Sequence, residues 1–228
     1  FPWVPDWEQS DLEHDIIVVA APIKATAEIL DALALRRPRG LVIDVGSLKT
    51  PLKSGFEALI GAGCRVASIH PMFGPNTRLL SGRHVIFVDV GSTEALDEAR
   101  RLFAPTMAES VDMSLDDHDR AIAYVLGLSH ALNLAFFTAL AESGELVPHL
   151  QALSSTTFDA QLQVAGAVAR DNPQLYFEIQ SLNQFGEAPL NALVDASRRI
   201  RELVETNNEA GFVSLMEAGR AYLDTREE

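Results

Sequence analysis

Apolar runs alternate with helical patterns over the first half of the chain. Four runs have the length and β-branched character of buried strands, at residues 15–22, 41–45, 65–69 and 84–88. Apolar residues recur at helical spacing between and after them, at residues 26–35, 51–62 and 94–103. Strands that alternate with helices in this way predict a parallel, doubly wound α/β sheet. The loops after consecutive strands are then expected along one edge of that sheet.

The pattern changes near Asp112, beyond which we find helical periodicity and no convincing strand. The run from 116 to 142 has apolar residues three and four positions apart, at Ala121, Val125, Leu128, Leu132 and Ala135. Further helices are predicted at residues 147–153, 155–169, 173–182, 189–207 and 209–224. The predicted fold class is therefore α/β followed by all-α, with a sheet domain at residues 1–113 and a helical domain at residues 114–228.

The segment 131–141 is so apolar that its helix is expected to be buried on all sides. A half-chain of this size offers few partners for it, so we expect a homodimer interface to cover it. Neither this segment nor the run 16–23 reaches the roughly 20 residues that cross a bilayer. We therefore expect no membrane partner.

Composition narrows the classes of function. The formal net charge of -14 leaves no basic surplus to neutralise phosphates, which disfavours a nucleic-acid partner. The single cysteine, Cys64, excludes an internal disulfide framework, and the histidines lack the close spacing of metal ligands. No signal peptide opens the chain. These features predict a cytoplasmic protein that acts on small molecules without a metal.

Three places at the predicted sheet edge and beyond carry candidate chemistry. Ser47 and Lys49 follow the second strand, and His70 lies in a stiff loop, residues 69–75, that contains two prolines and a glycine. His130 lies in an apolar helix, an unusual setting for a titratable group. Taken singly, Ser47 reads as a loop hydroxyl, Lys49 as a surface charge, and His130 as a core residue more often than a catalyst.

Four segments, in this order and spacing, resemble the prephenate dehydrogenase family of tyrosine biosynthesis: residues 44–49, 69–75, 127–132 and 171–176. The likeness covers nearly the whole chain. It implies a Rossmann-type domain that binds NAD or NADP and a helical domain that forms a homodimer. It also implies oxidative decarboxylation of prephenate to 4-hydroxyphenylpyruvate, or of arogenate to tyrosine.

The resemblance assigns His130 and Ser47 to catalysis. The family's helix histidine holds the hydroxyl on ring carbon C4, and an apolar wall keeps the imidazole neutral, as an acceptor must be. Ser47 matches a serine that lies near the nicotinamide and orients the same oxygen. His70 matches a histidine that shapes the substrate pocket.

The remaining expectations concern binding. The turn containing Ala21 and Pro22 is expected to lie against the cofactor, together with Ser47. Arg78 and Arg83 are candidates for contacts with the substrate carboxylates, although each also reads as a surface arginine.

Two departures from the family pattern stand out. The glycine-rich dinucleotide fingerprint is absent, and the chain starts at Phe1, so we expect the first strand and the pyrophosphate-binding turn to lie upstream. The family's arginine after the Pro-Gln-Leu-Tyr segment is also absent, since Gln180, Asn183 and Phe185 occupy that region.

Two alternatives therefore stay open. The first is a dehydrogenase of a related cyclohexadienyl or hydroxy acid. The second, from another class, is a catalytically dead dimeric binding module. Retention of Ser47, His70 and His130 together argues against the second alternative, because a dimerisation module needs none of them.

Overall fold

A computed structural model of the chain describes residues 3–74 and 77–225. The chain divides after Gly186 into two compact units, which are described separately here. The first unit holds five strands: β1 Ile16–Val19, β2 Leu41–Asp44, β3 Arg65–Pro71, β4 His84–Asp89 and β5 Glu109–Ser114. Its helices are α1 Ile23–Arg36, α2 Lys53–Gly61, α3 Thr93–Phe103, α4 Leu115–Ile122, α5 Ser129–Glu142, α6 Val147–Ala152, α7 Thr156–Ala169 and α8 Pro173–Leu182.

The five strands form one sheet in the order β1-β2-β3-β4-β5. Three neighbouring pairs are parallel, as the sequence predicts, and the pair β3–β4 is antiparallel. A parallel connection needs a crossover, usually a helix. No helix lies in the described part of the segment between β3 and β4, so the chain turns back and β4 pairs with β3 in the opposite direction.

The three central strands, β2, β3 and β4, are buried on both faces, as their apolar residues predict. Alternate residues of β2 enter two different cores. Val42 packs with residues of α1 and α2 in the first core, whereas Leu41 and Ile43 pack with residues of α3 in the second. Strand β1 forms one edge of the sheet, and its Val18 side chain is 56% exposed.

Two local predictions are corrected at the sheet edge. Strand β3 continues through Pro71, so that His70 is a buried strand residue and not a loop residue. Helix α1 begins at Ile23, three residues before the start predicted from the sequence, and Thr26 is a buried residue in its first turn. Pro75, the last residue of the predicted stiff loop, lies outside the described residues.

The predicted helix over 116–142 is continuous but changes its winding. A six-residue π-helical segment, Ala123–Leu128, joins α4 to α5. Two of the apolar residues that predict this helix, Val125 and Leu132, are 54% and 47% exposed in the single chain, whereas His118, Asp119 and Ile122 are buried. The polar pair is buried because it meets polar groups of the sheet edge.

Helix α5 is largely uncovered in the single chain, so its expected burial stays a prediction that depends on the homodimer interface. Asn133 is its buried residue. The run Leu115–Glu142 also has the length of a membrane-crossing helix and contains an 18-residue window with a mean hydropathy of 1.5. His118 and Asp119 near its start are fully buried against the sheet half, so this part of the run packs as a core helix.

The second unit contains two helices, α9 Glu187–Glu205 and α10 Glu209–Asp224, which pack against each other. Asn208 caps α10 by accepting a hydrogen bond from the Gly211 backbone. Large apolar side chains remain exposed on both helices, at Leu190, Val194, Ile200, Val204, Phe212, Val213, Met216, Tyr222 and Leu223.

A glycine sets the distance between α1 and α2. A Cβ atom at Gly55 would lie 2.7 Å from the Cβ of Leu30, which is fully buried. We expect Gly55→Ala to lower the free energy of unfolding by about 1–3 kcal/mol in urea denaturation, because the packed helices must move apart.

Gly61→Ala in the same helix is the control, since no described atom lies within 4 Å of its Cβ position. This variant should be neutral or more stable by up to about 1 kcal/mol. A Gly55→Ala protein as stable as the wild type would contradict the close approach of α1 and α2.

Candidate active site at the carboxyl edge of the sheet

Strands β1, β2 and β3 are parallel, so their carboxyl ends meet at one edge. In open α/β sheets this edge is where ligands bind. The turn Ala20–Pro22 follows β1, the loop 46–50 follows β2, and His70 lies near the end of β3. The sequence-predicted residues Ala21, Pro22, Ser47 and His70 are thus brought to the same edge.

A buried ion pair organises the loop after β2. The Lys49 ammonium group donates to Asp44 Oδ2 at 2.6 Å and to the Ile69 carbonyl oxygen at 2.7 Å, and both charged side chains have no exposed surface. Asp44 also accepts from the Ser68 hydroxyl and the Gly46 backbone N–H. Burial lowers the pKa of Lys49, and Asp44 opposes that change by favouring the charged form. Lys49 is therefore not the solvated surface charge that its sequence position indicates.

Asp119 of α4 binds the same loop from the other side. Its carboxylate accepts the backbone N–H of Lys49 at 2.9 Å and that of Thr50 at 2.7 Å, and the side chain is fully buried. Burial raises the pKa of Asp119, but the hydrogen bonds from His118 and Thr50 outweigh it and the pKa lies below the ordinary value. The group is thus an ionised hydrogen-bond acceptor at neutral pH.

Two histidines extend this network toward the sheet edge. His118 Nδ1 lies 2.7 Å from Asp119 Oδ1, and His118 Nε2 lies 3.0 Å from His70 Nδ1. Because a carboxylate only accepts, His118 Nδ1 carries the proton and its Nε2 accepts from His70 Nδ1. His70 Nε2 is then the unprotonated nitrogen, and it makes no hydrogen bond to the part of the chain that the structure describes. We call Asp119, His118 and His70 the histidine relay.

Both histidines of the relay are held neutral. Burial lowers the pKa of His70 well below its ordinary value, and the nearby Lys49 charge lowers it further. Burial also lowers the pKa of His118, although its hydrogen bond to Asp119 opposes the change. The relay therefore presents a neutral imidazole acceptor at physiological pH.

His130 lies in a different setting, in the first turn of α5. The π-helical segment before it frees the Gly127 carbonyl oxygen, which accepts from the Gln180 side chain of α8 at 2.7 Å. The His130 ring stacks on Tyr176 of α8, with centroids 4.1 Å apart. Its Nδ1 atom is buried without a hydrogen-bond partner among the described residues. Burial lowers the pKa of His130, and the charge of Asp171 opposes this effect.

The described hydrogen bonds do not connect His130 to the other predicted catalytic and substrate-binding residues. It makes no hydrogen bond to Ser47 or His70 among the described contacts. Ser47 is half-buried in the loop after β2. The catalytic roles predicted for His130 and Ser47 stay predictions.

Arg78 and Arg83 line one cavity of about 730 Å³. The segment 77–83 forms one wall of this cavity, and the end of α7 contributes Arg170 and Asp171 to the other. Guanidinium groups hold carboxylates by paired hydrogen bonds. Arg170, which the sequence reasoning did not single out, thus joins the two predicted arginines.

The residues present fit one side of a dinucleotide. Ala21 is half-buried and Pro22 exposed at the carboxyl end of β1, beside the half-buried loop of Ser47. These groups can border a planar nicotinamide, whereas the glycine-rich turn that binds a pyrophosphate is not in the sequence.

The sequence reasoning missed His118 and Asp119. Residues 116–119 read Asp-Asp-His-Asp, which resembles the polar first turn of an ordinary surface helix. Their position in the sequence could have indicated a site, because this polar turn directly follows the last strand and precedes the apolar helix. A histidine–aspartate pair at a domain junction is a candidate for a buried site.

Two family models match consecutive parts of the chain. Residues 6–112 match the prephenate dehydrogenase nucleotide-binding domain, and residues 114–218 match the prephenate dehydrogenase dimerization domain. The chain belongs to the prephenate dehydrogenase family. The family resemblance read from the sequence is thereby confirmed, and so is the fold class of a Rossmann-like sheet followed by helices.

Individual relatives are distant. A probable arogenate/prephenate dehydrogenase of Methanocaldococcus jannaschii is 26% identical over 89% of this chain and 46% of its own length. A T-protein of Enterobacter agglomerans is 25% identical over 92% of this chain and 56% of its own length, so the chain spans about half of these relatives. The crystal structure of a Synechocystis arogenate dehydrogenase shares the fold, with a TM-score of 0.69, 21% identity, and coverage of 94% of this chain and 80% of that one.

Neutral buried histidines make stability depend on pH. The unfolded chain binds protons at the ordinary histidine pKa, whereas His70 and His118 bind them only at lower pH. Their contribution is therefore complete above the ordinary pKa of about 6.5 and is lost as pH falls below it. We expect the free energy of unfolding in urea to fall between pH 7.5 and pH 5.

His118→Asn should flatten that decline, because one of the groups is gone. His149→Asn, at an exposed position, controls for the removal of a histidine as such. A wild-type protein that is equally stable at pH 5 and pH 7.5 would show that the relay is not buried and neutral.

Proposed function

We propose that this protein oxidatively decarboxylates prephenate to 4-hydroxyphenylpyruvate with a nicotinamide dinucleotide. The observation that carries the proposal is the histidine relay, which fixes a neutral acceptor nitrogen at the carboxyl edge of a dinucleotide-binding sheet. Membership of the family supports the reaction class, since the chain holds both the nucleotide-binding and the dimerization domain of that family.

The reaction needs an acceptor for the proton of the C4 hydroxyl. The C4–H bond breaks with its electron pair, for which a bound nicotinamide supplies the hydride acceptor, while a base holds the hydroxyl proton. The ring carboxylate then leaves as CO2, and its bonding pair completes the aromatic ring. A neutral imidazole within hydrogen-bond reach of the hydroxyl performs the base's part.

Two histidines are candidates for that base. We propose His70, because its Nδ1–H is held by His118 and its Nε2 is thereby left as an acceptor. His130, the base expected from the resemblance, remains the alternative. Its Nδ1 is sealed without a partner, so no described hydrogen bond sets which of its nitrogens carries the proton.

The arginine cavity suits the acidic substrate. Prephenate carries two carboxylates, and Arg78, Arg83 and Arg170 line one cavity beside the segment that follows β3. We propose that these guanidinium groups bind a substrate carboxylate in place of the arginine that the family pattern has after Tyr176. Their five donors each make them better suited to this than the amide of Gln180.

The partner proposed for this chain is a second copy of itself. Helix α5 is apolar but mostly uncovered, and large apolar side chains are exposed on α9 and on α10. The matched dimerization domain supports this assignment.

Cofactor and substrate have close alternatives. A solved prephenate dehydrogenase of A. aeolicus, with 19% identity and a TM-score of 0.69 over 93% of this chain and 77% of that one, is a complex with hydroxyphenyl propionate and NAD+. We propose NAD or NADP here. A 4-amino-4-deoxyprephenate dehydrogenase of Streptomyces pristinaespiralis is 29% identical over 92% of this chain and 70% of its own length. Arogenate and the 4-amino analogue of prephenate are therefore the alternative substrates.

The function is tested by NADH or NADPH formation in the full-length protein with prephenate, arogenate and 4-amino-4-deoxyprephenate. We expect turnover with prephenate. Activity with another acid alone would replace the substrate, and no turnover with any of the three would favour a binding module without catalysis.

The two histidines are separated by matched substitutions. His70→Asn should lower kcat by about 100-fold or more, because the proton acceptor is lost. His130→Asn should then retain kcat within a few-fold, because it removes the stacking of His130 on Tyr176, which contributes about 1 kcal/mol. The reverse pattern would return the catalytic role to His130.

A further inference from the structure

Helix α8 contacts both the helix that carries His130 and helix α1, which follows the turn Ala20–Pro22. Tyr176 and Gln180, one helical turn apart, contact His130 and the Gly127 carbonyl of the helix that carries it. Glu178 lies between them in sequence and so points to the opposite face of α8. That face packs against α1, where Ile23 and Ile179 share one apolar core.

Glu178 crosses from this helix to the start of α1. Its Oε2 atom accepts the backbone N–H of Ile23 at 2.7 Å, across 155 positions of sequence. Both residues are buried, with 2% and 1% of their surfaces exposed. A charged carboxylate is rarely buried unless it is paired, so this contact accounts for its position.

Among the described residues, no other side chain caps this end of α1. Its N-cap residue is Pro22, whose side chain offers no acceptor. The first backbone N–H groups of a helix lack partners and carry partial positive charge. The Glu178 carboxylate therefore replaces a local N-cap with one supplied by another helix.

The capped helix end is also the end of the cofactor-facing turn. Residues 20–22 connect β1 directly to α1, and the Thr26 hydroxyl donates to the Ala21 carbonyl oxygen at 3.0 Å. Thr26 thus holds the turn from within α1, whereas Glu178 holds the first residue after it from α8. The turn has an anchor in each half of the proposed site.

We propose that Glu178 is a positioning residue that fixes the turn Ala20–Pro22 for the nicotinamide dinucleotide and links it to the helix of His130. The proposal rests on the proposed function in one respect, namely that this turn faces the cofactor. Glu178 is proposed to contact neither the cofactor nor the substrate, but to affect the affinity for the dinucleotide through the turn.

The test is NADH and NADPH binding to the full-length protein, measured by fluorescence or calorimetry without any organic acid. Glu178→Ala leaves the Ile23 N–H buried and unpaired, so we expect the Kd of the preferred dinucleotide to rise about tenfold. Glu178→Asp keeps the charge but is one methylene too short, and it should weaken binding similarly. Glu178→Gln keeps an accepting oxygen at the same reach and should restore most of the affinity.

Steady-state kinetics give a second readout. The KM for the dinucleotide should rise in the Ala and Asp variants, while the KM for the acid stays within about twofold of the wild type, since the arginine cavity is untouched. Gln174→Ala, at an exposed position on the same helix, is the control and should bind as the wild type does. Thermal unfolding is measured for every variant. If the Ala variant does not fold, the dinucleotide affinity of the Asp variant tests the proposal.

The outcomes separate this proposal from the proposed function. Ala and Asp variants that melt earlier yet bind the dinucleotide with wild-type affinity would reduce Glu178 to a stabilising cap and overturn the inference. A wild-type protein that binds the dinucleotide but turns over none of the acids would overturn the proposed function alone. A wild-type protein that binds neither dinucleotide would overturn both.

Discussion

The candidate site depends on the hydrogen bonds that the buried Asp119 carboxylate accepts. This carboxylate lies on the first helix after the sheet, yet it accepts two backbone N–H groups from the loop that follows β2 and a third hydrogen bond from His118. One buried charge thus joins the sheet edge, the start of the helical region and the histidine relay. Removing it would leave three donors unpaired in a buried region, which is costlier than losing a single exposed contact.

The same burial gives the two parts of the site different electrostatic characters. At the sheet edge, Lys49 and Asp44 neutralise each other, and the histidines beside them are held neutral by burial and by the Lys49 charge. In the arginine cavity, three exposed arginines and Asp171 line the same space. For the proposed dianionic substrate, this division provides cations for the carboxylates and a neutral acceptor for the hydroxyl.

Much of the fold was predictable because its signals are local. Periodicity predicts the strands from the β-branched runs, the helices from the spacing between them, and the lack of strands among residues 115–225. The antiparallel direction of β4 was missed because strand direction depends on the connection, and the described residues between β3 and β4 form no helix that would mark a crossover. The burial of His118 and Asp119 could not be predicted from the pattern over 116–142, because apolar residues occupy many of its positions and periodicity alone does not distinguish the buried side.

The site was only partly predictable for a related reason. His70, Ser47, Arg78 and Arg83 stand out through motif or residue type, whereas His118, Asp119, Arg170 and Glu178 matter through contacts with residues far away in sequence. Glu178 is 155 positions from Ile23, and His118 is 48 positions from His70. No local pattern encodes such pairs.

In this structure the relay holds His70 neutral, with its proton on Nδ1 and its Nε2 available as an acceptor. This protonation state can be measured by imidazole ¹⁵N NMR shifts of the full-length protein at pH 7, assigned with His70→Asn and His118→Asn. We expect both His70 and His118 to be neutral Nδ1–H tautomers that are coupled by one hydrogen bond. A protonated His70 imidazolium, or a His70 whose proton resides on Nε2, would contradict it.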